Sequence, residues 1–99
     1  MILEIAQIEI KAGMESAFEA GIARAAEIFR AAAGCRGFDV RRSIEHPQRY
    51  RLLIRWDTLE AHTEGFTGSQ AWQDYRAIVS PCFAGPPSVE HTARVLKAF

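Results

Sequence analysis

The chain has 99 residues, enough for one domain around one core and too few for a second that would fold alone. It is 48% hydrophobic and 24% charged, and its twelve basic residues balance twelve acidic ones. That balance excludes the basic footprint of a nucleic-acid binder and offers no charged run for a membrane surface or a tail.

The opening stretch, MILEIAQIEIKAG, lacks a basic leader and a continuous apolar core, so no signal peptide is expected. No run of about 18 apolar residues exists to span a membrane. A cytoplasmic location is the expectation by default. Residues 2–10 are rich in isoleucine broken by single polar residues, the pattern of a strand that ends before Gly13. From Met14 the period changes. Phe18, Ile22, Ala25, Phe29 and Ala32 recur on one face of a long, alanine-rich helix that Gly34 should stop.

A second strand is expected over residues 38–45, with Phe38, Val40, Arg42 and Ile44 on one side. The turn HPQR, residues 46–49, leads to a third strand over 50–57, in which Tyr50, Leu52, Ile54 and Trp56 share a face. The two make a hairpin. Asp57 or Thr58 can cap a short helix that places Leu59, His62 and Phe66 on one face and ends at Gly65–Gly68. Ser69 can cap a further helix to about Val79. Pro81 and the run GPP at 85–87 form a loop, and residues 88–97 a last strand with Val89, His91, Ala93 and Val95 on one side. The order β, long α, β, β, broken α, β is the ferredoxin-like split βαββαβ pattern, an α+β fold with both helical regions on one face of an antiparallel sheet. Strand one has too many isoleucines for one wet face, and nothing in the chain remains to cover it. A second copy is the economical cover, so a homodimer is expected.

His62 on an apolar face is either a satisfied core histidine or part of a site. Trp72, Tyr75, Arg76 and Val79 share a second helix face, on which Arg76 either snorkels to solvent or reaches a pocket to meet a carbonyl, phenolate or carboxylate. Taken singly, the aromatics Trp56, Phe66, Trp72 and Tyr75 read as core. Together with His62 and Arg76 they would border a cavity suited to a flat aromatic ligand. Cys35 and Cys82 are far apart and outside any CxxC pattern, so free thiols are expected. His46, His62 and His91 are not at metal spacing, and there is no glycine-rich nucleotide loop and no nucleophile elbow.

The stretch WDTLEAH (Trp56–His62), residues 69–81, and the run PSVEH (Pro87–His91), with the opening strand, Gly13 and the long first helix, resemble the antibiotic biosynthesis monooxygenase domain family. The resemblance covers the whole chain, 1–99, as a single domain. It implies pairing into a dimeric α+β barrel. It also implies oxidation of anthrones or quinols by molecular oxygen, often without metal or flavin, so no cofactor is expected. Trp56 matches a tryptophan lining the site in anthrone-oxidising members. His62 falls where those enzymes have tyrosine and many relatives have histidine. Arg76 matches an arginine that binds or deprotonates substrate. His62 and Arg76 are therefore the expected catalytic residues, with Trp56, Phe66, Trp72 and Tyr75 around the substrate. Leu52 replaces an asparagine of the anthrone-oxidising members. Arg76 and Phe66 stand where haem-degrading members have a histidine ligand and a tryptophan, which argues against haem. The expected function is a cofactor-independent monooxygenase acting on a small aromatic quinol, phenol or anthrone. A non-catalytic small-molecule-binding barrel and a polyketide-type isomerase or cyclase are the alternatives.

Overall fold

The isoleucine-rich opening strand predicts one face against the helices and a second face that nothing else in the chain covers. The computed structural model, which describes residues 1–99, shows both. β1 (Ile2–Glu9) turns Glu4, Ala6 and Ile8 toward the helices and leaves Leu3, Ile5, Gln7 and Glu9 on the other side. α1 (Glu15–Arg30) lays Phe18, Gly21, Ile22, Ala25 and Phe29 on the sheet. A Cβ at Gly21 would stand 3.3 Å from Ile78, so this glycine lets the second helix approach. β2 (Cys35–Arg42), β3 (Arg49–Trp56) and β4 (Ser88–Ala93) complete a four-stranded antiparallel sheet in the order β2-β3-β1-β4. The second helical layer is a π-helical turn (Ala61–Phe66), α2 (Gln70–Val79) and a short 3-10 turn (Ser80–Cys82). This is the expected ferredoxin-like α+β architecture.

Several boundaries differ from the sequence reading, each for a local reason. α1 ends at Arg30, where Ala31 and Ala32 close a tighter last turn, and Gly34 (φ 82°) redirects the chain into β2. β2 starts three residues early because an irregularity at Cys35–Gly37 lets the strand pair with Trp56 and Arg55. It ends at Arg42, since Ser43 closes the hairpin through Arg49 O and through His46 N–H, leaving Ile44 91% exposed instead of on the apolar face. β4 stops at Ala93, opposite Ile2, because β1 offers no further partner; Val95 is fully exposed.

The core lies between the layers. Phe29 is its hub, with ring centroids 4.5 Å from Phe38, 4.7 Å from Phe66 and 5.1 Å from Tyr75. Cys35 and Cys82 are free thiols. No helix is long and apolar enough to cross a membrane.

Candidate active site

Thr58, not Asp57, starts the segment carrying His62: its Oγ1 accepts from Ala61 N–H at 3.1 Å. Asp57 instead accepts from both Nε and Nη2 of the Arg36 guanidinium. The next residues do not continue as an α-helix. Thr67 N–H reaches His62 O, five residues back, and the wider π turn brings positions four apart nearly into line. His62 and Phe66 are therefore buried together, while Leu59, expected on the same face, is 39% exposed. Gly34 fits beneath this turn, where a Cβ would lie 2.8 Å from the Ala61 Cβ. Ser69 stands at the start of α2 without capping it, because its hydroxyl donates back to Phe66 O at 2.6 Å.

Between the helical layer and the sheet lies a cavity of about 540 Å³. Five of the six residues expected at a site line it: His62, Phe66, Trp72, Tyr75 and Arg76. Trp56 does not. It is fully buried one layer behind, stacked on His62 with ring centroids 5.2 Å apart and planes 19° apart. Leu52 is also buried away from the cavity. The 83–87 loop and Val89 close the remaining side.

The residue that sequence reasoning missed is Glu4, 5% exposed on the cavity floor. Its Oε1 accepts from Trp56 Nε1–H at 2.9 Å and lies 3.3 Å from His62 Nε2. The other His62 nitrogen, Nδ1, is 2.7 Å from His91 Nε2. Strand register accounts for the meeting, because Glu4 on β1 pairs directly with His91 on β4 and with Ile54 on β3. A signal was present: Glu4 falls in phase with Ala6 and Ile8, an acid on the inward row.

Burial pushes the Glu4 carboxyl up from 4.5 to about 7, against the opposing hydrogen bond from Trp56. Burial, and then the neighbouring His91, push His62 down from 6.5 to about 4. His62 is therefore neutral near pH 7. With His62 neutral, its 3.3 Å approach to Glu4 is not an ion pair. Burial also raises the Tyr75 phenol, which makes no hydrogen bond within the chain. Arg76 is exposed at the rim, stacked over Trp72 with Cζ 5.5 Å from the ring centroid, and it forms no ion pair. With His62 bonded to His91 on one edge and 3.3 Å from Glu4 on the other, the groups left for a ligand are the second Glu4 oxygen, the Tyr75 hydroxyl and the Arg76 guanidinium, set in apolar walls. No group of three or more His, Cys, Asp or Glu side chains is placed to hold a metal ion.

Comparison with known proteins places this geometry. A curated relative, the uncharacterized protein YczJ of Bacillus subtilis, is 37% identical over 91 residues, covering 92% of this chain and 96% of its own. A crystal structure from Bordetella bronchiseptica, named for antibiotic biosynthesis monooxygenase, is 46% identical over 96% of this chain and 97% of that one, with a TM-score of 0.94. The Streptomyces nogalater protein SnoaB shares the fold alone, at 11% identity and a TM-score of 0.81 over 98% of this chain and 95% of its own. The sequence model described as antibiotic biosynthesis monooxygenase matches residues 1–78, and with these relatives it shows that the chain belongs to that family.

Proposed function

We propose that the protein is a cofactor-independent monooxygenase of a small electron-rich aromatic, a quinol, phenol or anthrone, working as a homodimer. The observation that carries the reading is the set of polar groups without partners (Glu4 Oε2, Tyr75 hydroxyl, Arg76) in one apolar cavity. Apolar walls with a few convergent polar groups left open to the cavity are the usual composition of a small-molecule site. Trp72 and Phe66, with ring planes 75° apart, offer a face and an edge to a flat ring.

The chemistry follows from the surroundings. A phenolate or enolate formed in the cavity is stabilised by the Arg76 guanidinium, while the aromatic walls exclude water. The anion gives one electron to dioxygen, and the two radicals combine to a peroxide. Loss of water then leaves a carbonyl, so a CH₂ group and O₂ become C=O and H₂O. SnoaB, with this fold, is a cofactor-independent oxygenase, which supports the same class of reaction here.

The dimer reading is supported by the open sheet face. Leu3, Ile5 and Leu53 form its half-buried centre, flanked by the basic Arg51 and Arg55 and the acidic Asp39 and Glu90, a charge pattern that a second copy can complement.

Oxygen uptake by the purified protein with a panel of quinols and anthrones tests the function. Arg76→Ala should lower kcat/KM by about 10- to 100-fold. Equal uptake by wild type and variant would sink the reading. Product formed without oxygen would instead indicate an isomerase, and ligand recovered unchanged after aerobic incubation a binding module.

A further inference from the structure

We infer that Glu4 is the base that takes the substrate's proton, and that His62 and His91 form a conduit connecting it to solvent at the sheet edge. The assignment of Glu4 as base rests on the oxygenase reading above, or on its enolising alternative. The conduit stands on geometry alone.

Glu4 uses one oxygen for the protein and turns the other to the cavity. Oε1 carries both the Trp56 bond and the His62 contact, while Oε2 has no partner. Once a flat ligand fills the cavity, this carboxyl is shut off from bulk water on that side. The remaining route runs through His62, whose two ring nitrogens face Glu4 at 3.3 Å and His91 at 2.7 Å. The longer gap is of the kind that tightens when a site is occupied. His91 is half-buried on β4, the edge strand, so its far nitrogen can meet water.

The proton step balances without charging His62. A neutral Glu4 gives its Oε1 proton to His62 Nε2 as the Nδ1–H of His62 passes to His91 Nε2. The Nδ1–H of His91 is then released to water. Glu4 is left as a carboxylate, both histidines are neutral in the other tautomer, and one proton has left. The carboxylate so formed takes the substrate's O–H or C–H proton at Oε2, the electron pair staying on the substrate, and returns that proton when the peroxide collapses to water. After turnover the conduit step run backward brings one proton in from water and restores the neutral carboxyl. Depression of the His62 pKa favours this neutral traffic over an imidazolium. The other titratable groups around the pair are Tyr75 and Arg76 on α2 and Cys35 on β2. Each is coupled to Glu4 or to its neighbours, and none lies between the two histidines.

Nitrogen-15 NMR of histidine-labelled protein from pH 5 to 9 tests the conduit without any substrate. His62 should change from the Nδ1–H to the Nε2–H tautomer, without becoming cationic, at the midpoint of the Glu4 carboxyl titration. Glu4→Gln and His91→Gln should each lock it in one tautomer. A fixed tautomer in the wild type, or switching that survives His91→Gln, overturns the conduit. Glu4 as base is tested with whichever quinol or anthrone the protein turns over. Glu4→Gln should lower kcat about 100-fold with KM changed less than about threefold, and Glu4→Asp should restore part of it. Unchanged kcat overturns that role. If no substrate in the panel is turned over, the oxygenase reading fails and the NMR outcome still decides the conduit.

Discussion

Replacing Glu4 by glutamine and, separately, His62 by glutamine should tilt the pH dependence of folding in opposite directions. In the folded chain Glu4 holds a proton up to about pH 7, whereas unfolded it releases that proton near 4.5. Its contribution to stability is present below 4.5 and lost as pH rises through 7. His62 is displaced the other way, from 6.5 to about 4, so its contribution is present above 6.5 and lost as pH falls through 4. Between pH 4.5 and 6.5 the folded pair carries one proton, on Glu4, and the unfolded pair carries one, on His62. The two slopes cancel in the wild type. Each displacement is worth about 3 kcal/mol at about 1.4 kcal/mol per tenfold in proton affinity, and both side chains are more than nine-tenths buried. Glu4→Gln removes the acid-side support and should lose about 3 kcal/mol relative to wild type as pH falls from 7 to 4.5. His62→Gln should gain a similar amount, about 3 kcal/mol, over the same descent. Urea titrations followed by far-UV circular dichroism at half-unit pH steps read this as opposite drifts of the midpoint on the order of 2 M. Difference curves that are flat, or that slope the same way for both variants, would refute the assignment of a neutral His62 beside a proton-holding Glu4.

Three further outcomes follow from packing. Phe29→Ala removes the hub against which Phe38, Phe66 and Tyr75 close, and should cost about 3–5 kcal/mol by urea titration. Gly34→Ala imposes a left-handed residue and drives a Cβ into Ala61. It should cost at least about 1–2 kcal/mol and shift the His62 ring resonances, because the turn it presses on carries that histidine. Leu53→Asp, at the centre of the open sheet face, should yield monomers by light scattering where the wild type gives dimers. Dimers in both would place the interface elsewhere.

The periodic parts of the chain were legible in the sequence. The helical spacing of Phe18, Ile22, Ala25 and Phe29 and the alternation of Tyr50, Leu52, Ile54 and Trp56 each require one buried face, and those faces are buried. Grouping Trp72, Tyr75 and Arg76 with His62 and Phe66 also needed only spacing. Three features depend on events that spacing does not encode. The π turn is a hydrogen-bond choice that separates Leu59 from His62. The irregularity at Cys35–Gly37 sets where β2 begins. Trp56 turns its N–H to Glu4 rather than its face to the cavity, which depends on a residue 52 positions away. Glu4 and His91 come together only through the order of strands, with β1 in the middle of the sheet and β4 at its edge.

That order has a consequence for the chain as it is made. β4 is the last strand to be synthesised, and β1 the first, so at about 5–20 residues per second β1 waits several seconds for its outer neighbour. During that interval β1 is a bare edge, rich in isoleucine and open to pairing with another nascent chain. Glu4 is then an ionised carboxylate pointing inward from that edge, a form of protection that discourages strand addition from a stranger. Docking of β4 lays His91 opposite Glu4 and ends the need for it, and the same carboxyl passes from guarding an unfinished sheet to serving the finished cavity.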